Sequence, residues 1–168
     1  MRKRLLIGLA LFTALHLSHA KLGRDMVKEG KIEQELNGIN PSLVEPFREA
    51  RIAMDKGDST ASVRLLEGVC AAAPEFDPAQ RRLGMGLAAQ GKQNEGIQHV
   101  EKAVAIRRDA ANLISLATVL AFPGDKLNTS TQAQKERAFS LLKEAVEMPD
   151  GRDAGAYSCL ASLANSRR

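Results

Sequence analysis

The chain has 168 residues, with 24 Lys and Arg against 20 Asp and Glu, and only 4% of it is aromatic, with no Trp. Arg2, Lys3 and Arg4 fall in the first four positions, and without them the balance is 21 to 20, a net of +1. That near-neutral remainder gives no basic stripe for nucleic acid, and the scarcity of large rings points to thin layers of helices packed through Ala, Leu, Val and Ile rather than to an aromatic-anchored core.

In chain order, residues 1–20 read as a secretory signal peptide. A basic start precedes an apolar run over 5–17, broken only by Thr13 and His16, and Ser18-His19-Ala20 supplies small residues for cleavage after Ala20. The run is shorter than the roughly 20 apolar residues of a membrane span, so no span is expected after cleavage; an uncleaved anchor is the alternative. The expected location is therefore secreted or periplasmic. No cysteine follows the cleavage site, and the first is Cys70. Residues 21–41 are polar and contain Gly23, Gly30 and Gly38. They read as a linker or N-terminal cap in which Met26, Val27, Ile32 and Leu36 give at most a weak helix.

Residues 42–168 carry a 34-residue period. Counting back 34 from Arg82, Gly84, Gly91, Val100 and Glu101 reaches Arg48, Ala50, Gly57, Leu66 and Glu67. A period of this length built from two short helices marks a stacked helical repeat. In the first repeat, about 43–76, Ser42 and Glu45 predict a capping box. A helix to about Lys56 is followed by a Gly57-Asp58 turn, then by a helix with Val63, Leu66, Val69 and Cys70 on one face. Pro74 ends it. The second repeat, about 77–110, has Asp77 as predicted N-cap, Pro78 in the first turn and Gln80 completing a box-like pattern. Leu83, Gly84 and Leu87 face inward, Gly91 turns the chain, and Ile97, Val100, Ala103, Val104 and Ile106 form the return stripe. Gly84 costs helix stability, up to about 1 kcal/mol relative to Ala, which makes sense if a neighbouring helix passes close by.

The third repeat, about 111–152, starts with a helix over about 112–122 that Pro123-Gly124-Asp125 breaks. Its return stripe of Ala138, Phe139, Leu142, Ala145, Val146 and Met148 follows that of the second repeat by 42 residues. The surplus falls near 126–134 and predicts a longer loop, or a return helix lengthened from a cap at Ser130 or Thr131. A capping helix over 153–166 carries Tyr157, Leu160, Ala161 and Ala164 on one face. Cys70 and Cys159 lie in the first repeat and the last helix, several helix spacings of about 8–10 Å apart, beyond the roughly 7 Å that a disulfide spans; no intramolecular bridge is expected.

The residues of the second repeat resemble the tetratricopeptide repeat (TPR) family. Leu83-Gly84 matches its Leu-Gly pair, Leu87 stands in the Tyr slot, Gly96 in the Ala slot and Val100 in the Phe slot. The first repeat matches through Ala50, Ala53, Ser62, Leu66 and Pro74, and the third through Ala138, Leu142 and Ala145. Pro46 and Gln80 fill the Trp slot, so packing there departs from the family pattern. The resemblance implies an all-α, right-handed α-solenoid of about three helix-turn-helix repeats with a C-terminal capping helix. It also implies a concave groove that holds a peptide or protein segment, lined by Phe47, Arg51 and Met54, by Arg81, Met85 and Ala88, and by Ser115, Val119 and Phe122. Arginines beside Met and Phe suit an acidic or C-terminal carboxylate group. Phe47 and Arg51 replace the Lys and Asn of the clamp in chaperone-binding members, so chaperone-tail binding is not expected.

No catalytic set emerges. His99 is the single histidine beyond residue 20 and reads as a surface side chain. No group of ligands suits zinc, and there is no nucleophile elbow, phosphate loop or dinucleotide fingerprint. Glu95, Glu101 and Glu144 read as exposed ion-pair partners. The expectation is a non-catalytic scaffold or adaptor of the cell envelope, without cofactor, metal or nucleic acid. An accessory subunit that completes an enzyme's site and a three-repeat secretion-type chaperone are the alternatives.

Overall fold

The computed structural model describes residues 25–122, 130–152 and 154–165. The leader, residues 1–20, lies outside them, as do the first four residues of the 126–134 surplus. Eight α-helices make up an all-α fold within the described residues: α1 (Met26–Ile39), α2 (Val44–Asp55), α3 (Ser59–Ala72), α4 (Asp77–Ala89), α5 (Gln93–Ile106), α6 (Ala110–Ala121), α7 (Gln132–Glu147) and α8 (Ala154–Asn165). Short 3-10 turns at Pro41–Leu43 and Pro149–Gly151 lead into α2 and out of α7. From α2 onward each helix packs on the next, α4 also touches α6, and α6 touches α8. This is the stacked, helix-pair arrangement that the 34-residue period predicts.

The turns within the pairs form as the residues dictate. Gly57 and Gly91 both adopt φ +81°, a left-handed conformation that suits glycine. The Asp58 carboxylate accepts from the Ala61 amide and caps α3. Two predicted caps do not form. A 3-10 turn replaces the start expected at Ser42, and Asn40 caps that turn by accepting from the Ser42 amide and hydroxyl. Glu45 pairs with Arg48 instead. Asp77 is already inside α4, and its carboxylate turns away from the backbone to Asn112 and Arg107. Gln80 donates to the Pro74 carbonyl rather than completing a box. Farther on, Asp109 caps α6 through the Asn112 amide. Thr131 and Gln134 form a reciprocal capping box at the head of α7, the cap expected at Ser130 or Thr131. With 16 residues, α7 is two longer than α5.

The core has two parts. One gathers Leu36, Phe47, Leu66, Val69, Phe76, Leu83 and Leu87 around α2, α3 and α4. The other gathers Val100, Leu113, Leu116, Leu120, Leu142 and Leu163 around α5 to α8. The join is the crossing of α4 over α5, where two glycines face each other. A Cβ added at Gly84 would lie 2.5 Å from the Gly96 carbonyl oxygen, and one added at Gly96 would lie 2.7 Å from that of Gly84. The close neighbour expected at Gly84 is thus the backbone of α5. In α8 the inward residues are Ala156 and Leu163, with Cys159 and Leu160 half-buried. Tyr157, Ala161 and Ala164 are exposed, so the predicted inward face is turned by about one residue (100° on a 3.6-residue helix). Cys70 is a buried thiol of the first core part, and no disulfide joins it to Cys159.

Candidate functional site

Helix α1 presents acidic side chains to arginines drawn from three other parts of the chain. Asp25 starts the helix by accepting from the Val27 and Lys28 amides. Four residues on, Glu29 is buried and takes two hydrogen bonds from an Arg82 Nη of α4, at 2.8 and 2.6 Å. Arg51 of α2 also lies 3.7 Å from Glu29. One turn later Glu33 accepts from Arg48 at 2.7 Å and lies 3.9 Å from Arg51. Glu35 pairs with Arg107 just beyond α5. Between these carboxylates Leu36 is fully buried and Ile32 half-buried. The Arg82 guanidinium also lies 4.4 Å over the Phe47 ring, which meets the Phe76 ring edge-on at 5.4 Å. Cation–π contact and the paired hydrogen bonds from one Nη to both Glu29 oxygens hold Arg82 in one orientation.

The nine groove positions are placed unequally. Phe47, Ala88 and Val119 are buried and belong to the core, so they offer no surface to a partner. Their register with the other positions assumed the same outward face in every repeat. Arg51 and Arg81 are half-buried, and the Nε atoms of both are buried without a hydrogen-bond partner. Burial, then the neighbouring Arg82, pulls the Arg81 pKa down, against the opposite pull of Asp109, Asp77 and Glu29. Met54 packs against the first core part and Met85 against the second. Ser115 turns its hydroxyl to the Ala111 carbonyl of its own helix at 2.8 Å. Phe122 is exposed at the end of α6. Of the nine, Arg51 meets α1 directly. Arg48, Arg82 and Arg107, with Glu29, Glu33 and Glu35, are members of the site that the sequence reading missed. The signal was present: Arg48 and Arg82 stand one 34-residue period apart, and Glu29 and Glu33 share a helix face.

A polar cluster lies beneath. Asp77 accepts from the Asn112 amide nitrogen at 2.9 Å and lies 2.8 Å from an Arg107 nitrogen. The same Asn112 nitrogen reaches the Arg107 carbonyl at 2.8 Å. Burial raises the Asp77 carboxyl above its ordinary range, and Asn112 and Arg107 offset part of that rise. His99 is half-buried and not simply a surface group. Its Nδ1 lies 2.8 Å from Gln80 Oε1, and burial, then Lys102, lowers its pKa. Among the described residues no three His, Cys, Asp or Glu side chains converge on a position for a metal ion, and no helix is long and apolar enough to cross a membrane. No protein-family model matches the chain, and no curated protein matches it.

Proposed function

We propose that this chain is an exported TPR-type scaffold that holds a segment of another protein through the arginine-bearing face of α2 and α4. In this reading α2–α3, α4–α5 and α6–α7 are three repeats wound into a right-handed solenoid, α8 is its cap, and the protein works in the cell envelope after loss of residues 1–20. Its role is binding, without chemistry of its own. The observation that carries the reading is that Arg48, Arg51 and Arg82 already hold carboxylates of a helix, Glu33 and Glu29 of α1. A planar guanidinium fork suits carboxylates better than a point charge does, and half-buried pairs are screened less by salt than exposed ones.

The test is affinity capture from envelope extract with the wild-type protein beside Arg48→Gln/Arg51→Gln, which removes two charges with little change of size. The captured protein is then purified and its binding remeasured. The expected result is at least tenfold weaker binding to the double variant at matched thermal stability. Equal binding by both proteins would move the site away from this face, and recovery of the wild-type protein in an unprocessed cytosolic form would remove the envelope from the reading.

A further inference from the structure

We infer that α1 is an exchangeable occupant of the arginine face, and that the segment it gives way to is an acidic amphipathic helix of a partner protein. The inference rests on the proposed function and adds the chemistry of the partner. The spacing seen in α1 states that chemistry: a carboxylate at Glu29, an aliphatic residue at Ile32, a second carboxylate at Glu33 and a buried leucine at Leu36. These are positions i, i+3, i+4 and i+7 of one helix face. The carboxylates meet Arg82, Arg51 and Arg48, and Leu36 fills an apolar seat at the edge of the first core part.

The helix in that seat is built to be weak. Its Glu29 and Leu36 alone are buried, while Met26, Val27 and Ile39 are 59%, 72% and 54% exposed. Two glycines, Gly30 and Gly38, interrupt it, and a Cβ at either would have nothing within 4 Å. Close packing demands glycine at Gly84 and Gly96, where a Cβ would strike backbone, but makes no such demand in α1. What glycine does in α1 is lower the helix's own stability, by a factor of about five per residue in its folding equilibrium relative to alanine. A departing α1 takes with it the carboxylates that Arg48, Arg51 and Arg82 pair with, so the occupant that suits the vacated face is one that offers carboxylates in the same geometry.

The experiment uses the full-length chain. Hydrogen exchange is followed over 26–39 and over α4 in the wild type and in Gly30→Ala/Gly38→Ala. A fluorescent peptide copying residues 25–40 is titrated into both proteins and into Glu29→Gln/Glu33→Gln. Exchange over 26–39 is expected to run well ahead of that in α4 and to slow about 5- to 25-fold in the double-alanine variant, the full factor of about five applying at Gly30 and a smaller one at Gly38 in the last turn. The peptide is expected to bind at least tenfold more tightly to the Glu→Gln variant than to the double-alanine variant. A peptide with Gln at both glutamate positions is expected not to bind. Exchange over 26–39 as slow as that in α4 would overturn the inference and leave the proposed function standing. Fast exchange with no peptide binding to any variant would overturn the arginine face as a binding site. Dimers formed by trading α1 between copies would overturn the assignment to a foreign partner.

Discussion

The crossing of α4 over α5 makes Gly84→Ala a demanding test of the packing. The new methyl would sit 2.5 Å from the Gly96 carbonyl oxygen, 2.5 Å from Val100 Cγ2 and 3.0 Å from the Val100 amide nitrogen, where ordinary contact begins at 3.4 Å. Two of these three atoms are backbone, fixed by the hydrogen bonds of α5, and the third belongs to a β-branched side chain with little rotamer freedom. The helices must therefore separate by about 0.9 Å, while Val100 and Ala103, both fully buried, hold α5 against its other neighbours. Overpacking of this kind costs about 1–3 kcal/mol, and the better helix propensity of alanine returns up to ~1 kcal/mol. The expected net loss is about 0–2 kcal/mol after that return, or a fall in Tm of up to about 8 °C for a chain of this size, against a gain in the control. The control is Gly68→Ala in α3, where a Cβ meets nothing within 4 Å, and which should gain up to ~1 kcal/mol. Urea unfolding followed by circular dichroism reads both as shifts in midpoint at constant slope. Gly96→Ala should cost a similar amount, and the double variant less than the sum, because both methyls open the same gap. A Gly84→Ala protein as stable as Gly68→Ala would refute the reasoning.

Three further outcomes follow from the same structure. Gly151→Ala would drive a methyl into the Ala145 carbonyl and against the Ala110 methyl; a loss near the upper end of the ~1–3 kcal/mol range is expected in thermal unfolding. The lowered pKa of His99 means the unfolded chain binds the proton more readily, so its contribution is fully present above the ordinary value of 6.5 and is lost as pH falls from there to the folded value. His99→Asn, which keeps a donor for Gln80, should flatten the fall in Tm between pH 8 and pH 5.5, and an unchanged slope would assign that fall to other groups. Burial pushes the Cys70 thiol up to about 12, so alkylation of Cys70 at neutral pH should proceed only as fast as the first core part opens, and labelling at the rate of an unfolded control would contradict its burial.

Much of the fold was legible because the period repeats local chemistry. Gly57 and Gly91 must turn, Asp58 can cap, Thr131 can cap, and Gly84 makes sense only beneath a close neighbour. Each of these depends on a few adjacent residues or on one packing contact. The misread caps have a common cause. Ser42 and Asp77 have the right side chains, but Asn40 wins the first turn, and Asn112 with Arg107, from distant positions, recruits the Asp77 carboxylate. Helix α1 reads in the sequence as no more than a weak helix within a linker or cap, for a different reason. It docks through Glu29, Glu33 and Glu35, so it has no broad apolar stripe for periodicity to find, and carboxylates on a helix read as solvated until their partners are seen. Phe47 and Val119 show the limit of carrying positions by register: the same repeat position is half-exposed at Arg51 and Met85 and buried at Val119.

The ion pairs of α1 also order events during synthesis. Glu29 pairs with a residue 53 positions later, and Glu35 with one 72 positions later, whereas each helix from α2 onward packs on its immediate successor. At the usual pace of a ribosome those arginines follow α1 by on the order of 3–15 s. Helix α1 can therefore meet Arg48 and Arg51 of α2 early through Glu33, while Glu29 and Glu35 wait for Arg82 and Arg107. Glu29 and Glu35 meet the surrounding solution, and whatever molecules it holds, before they can meet Arg82 and Arg107.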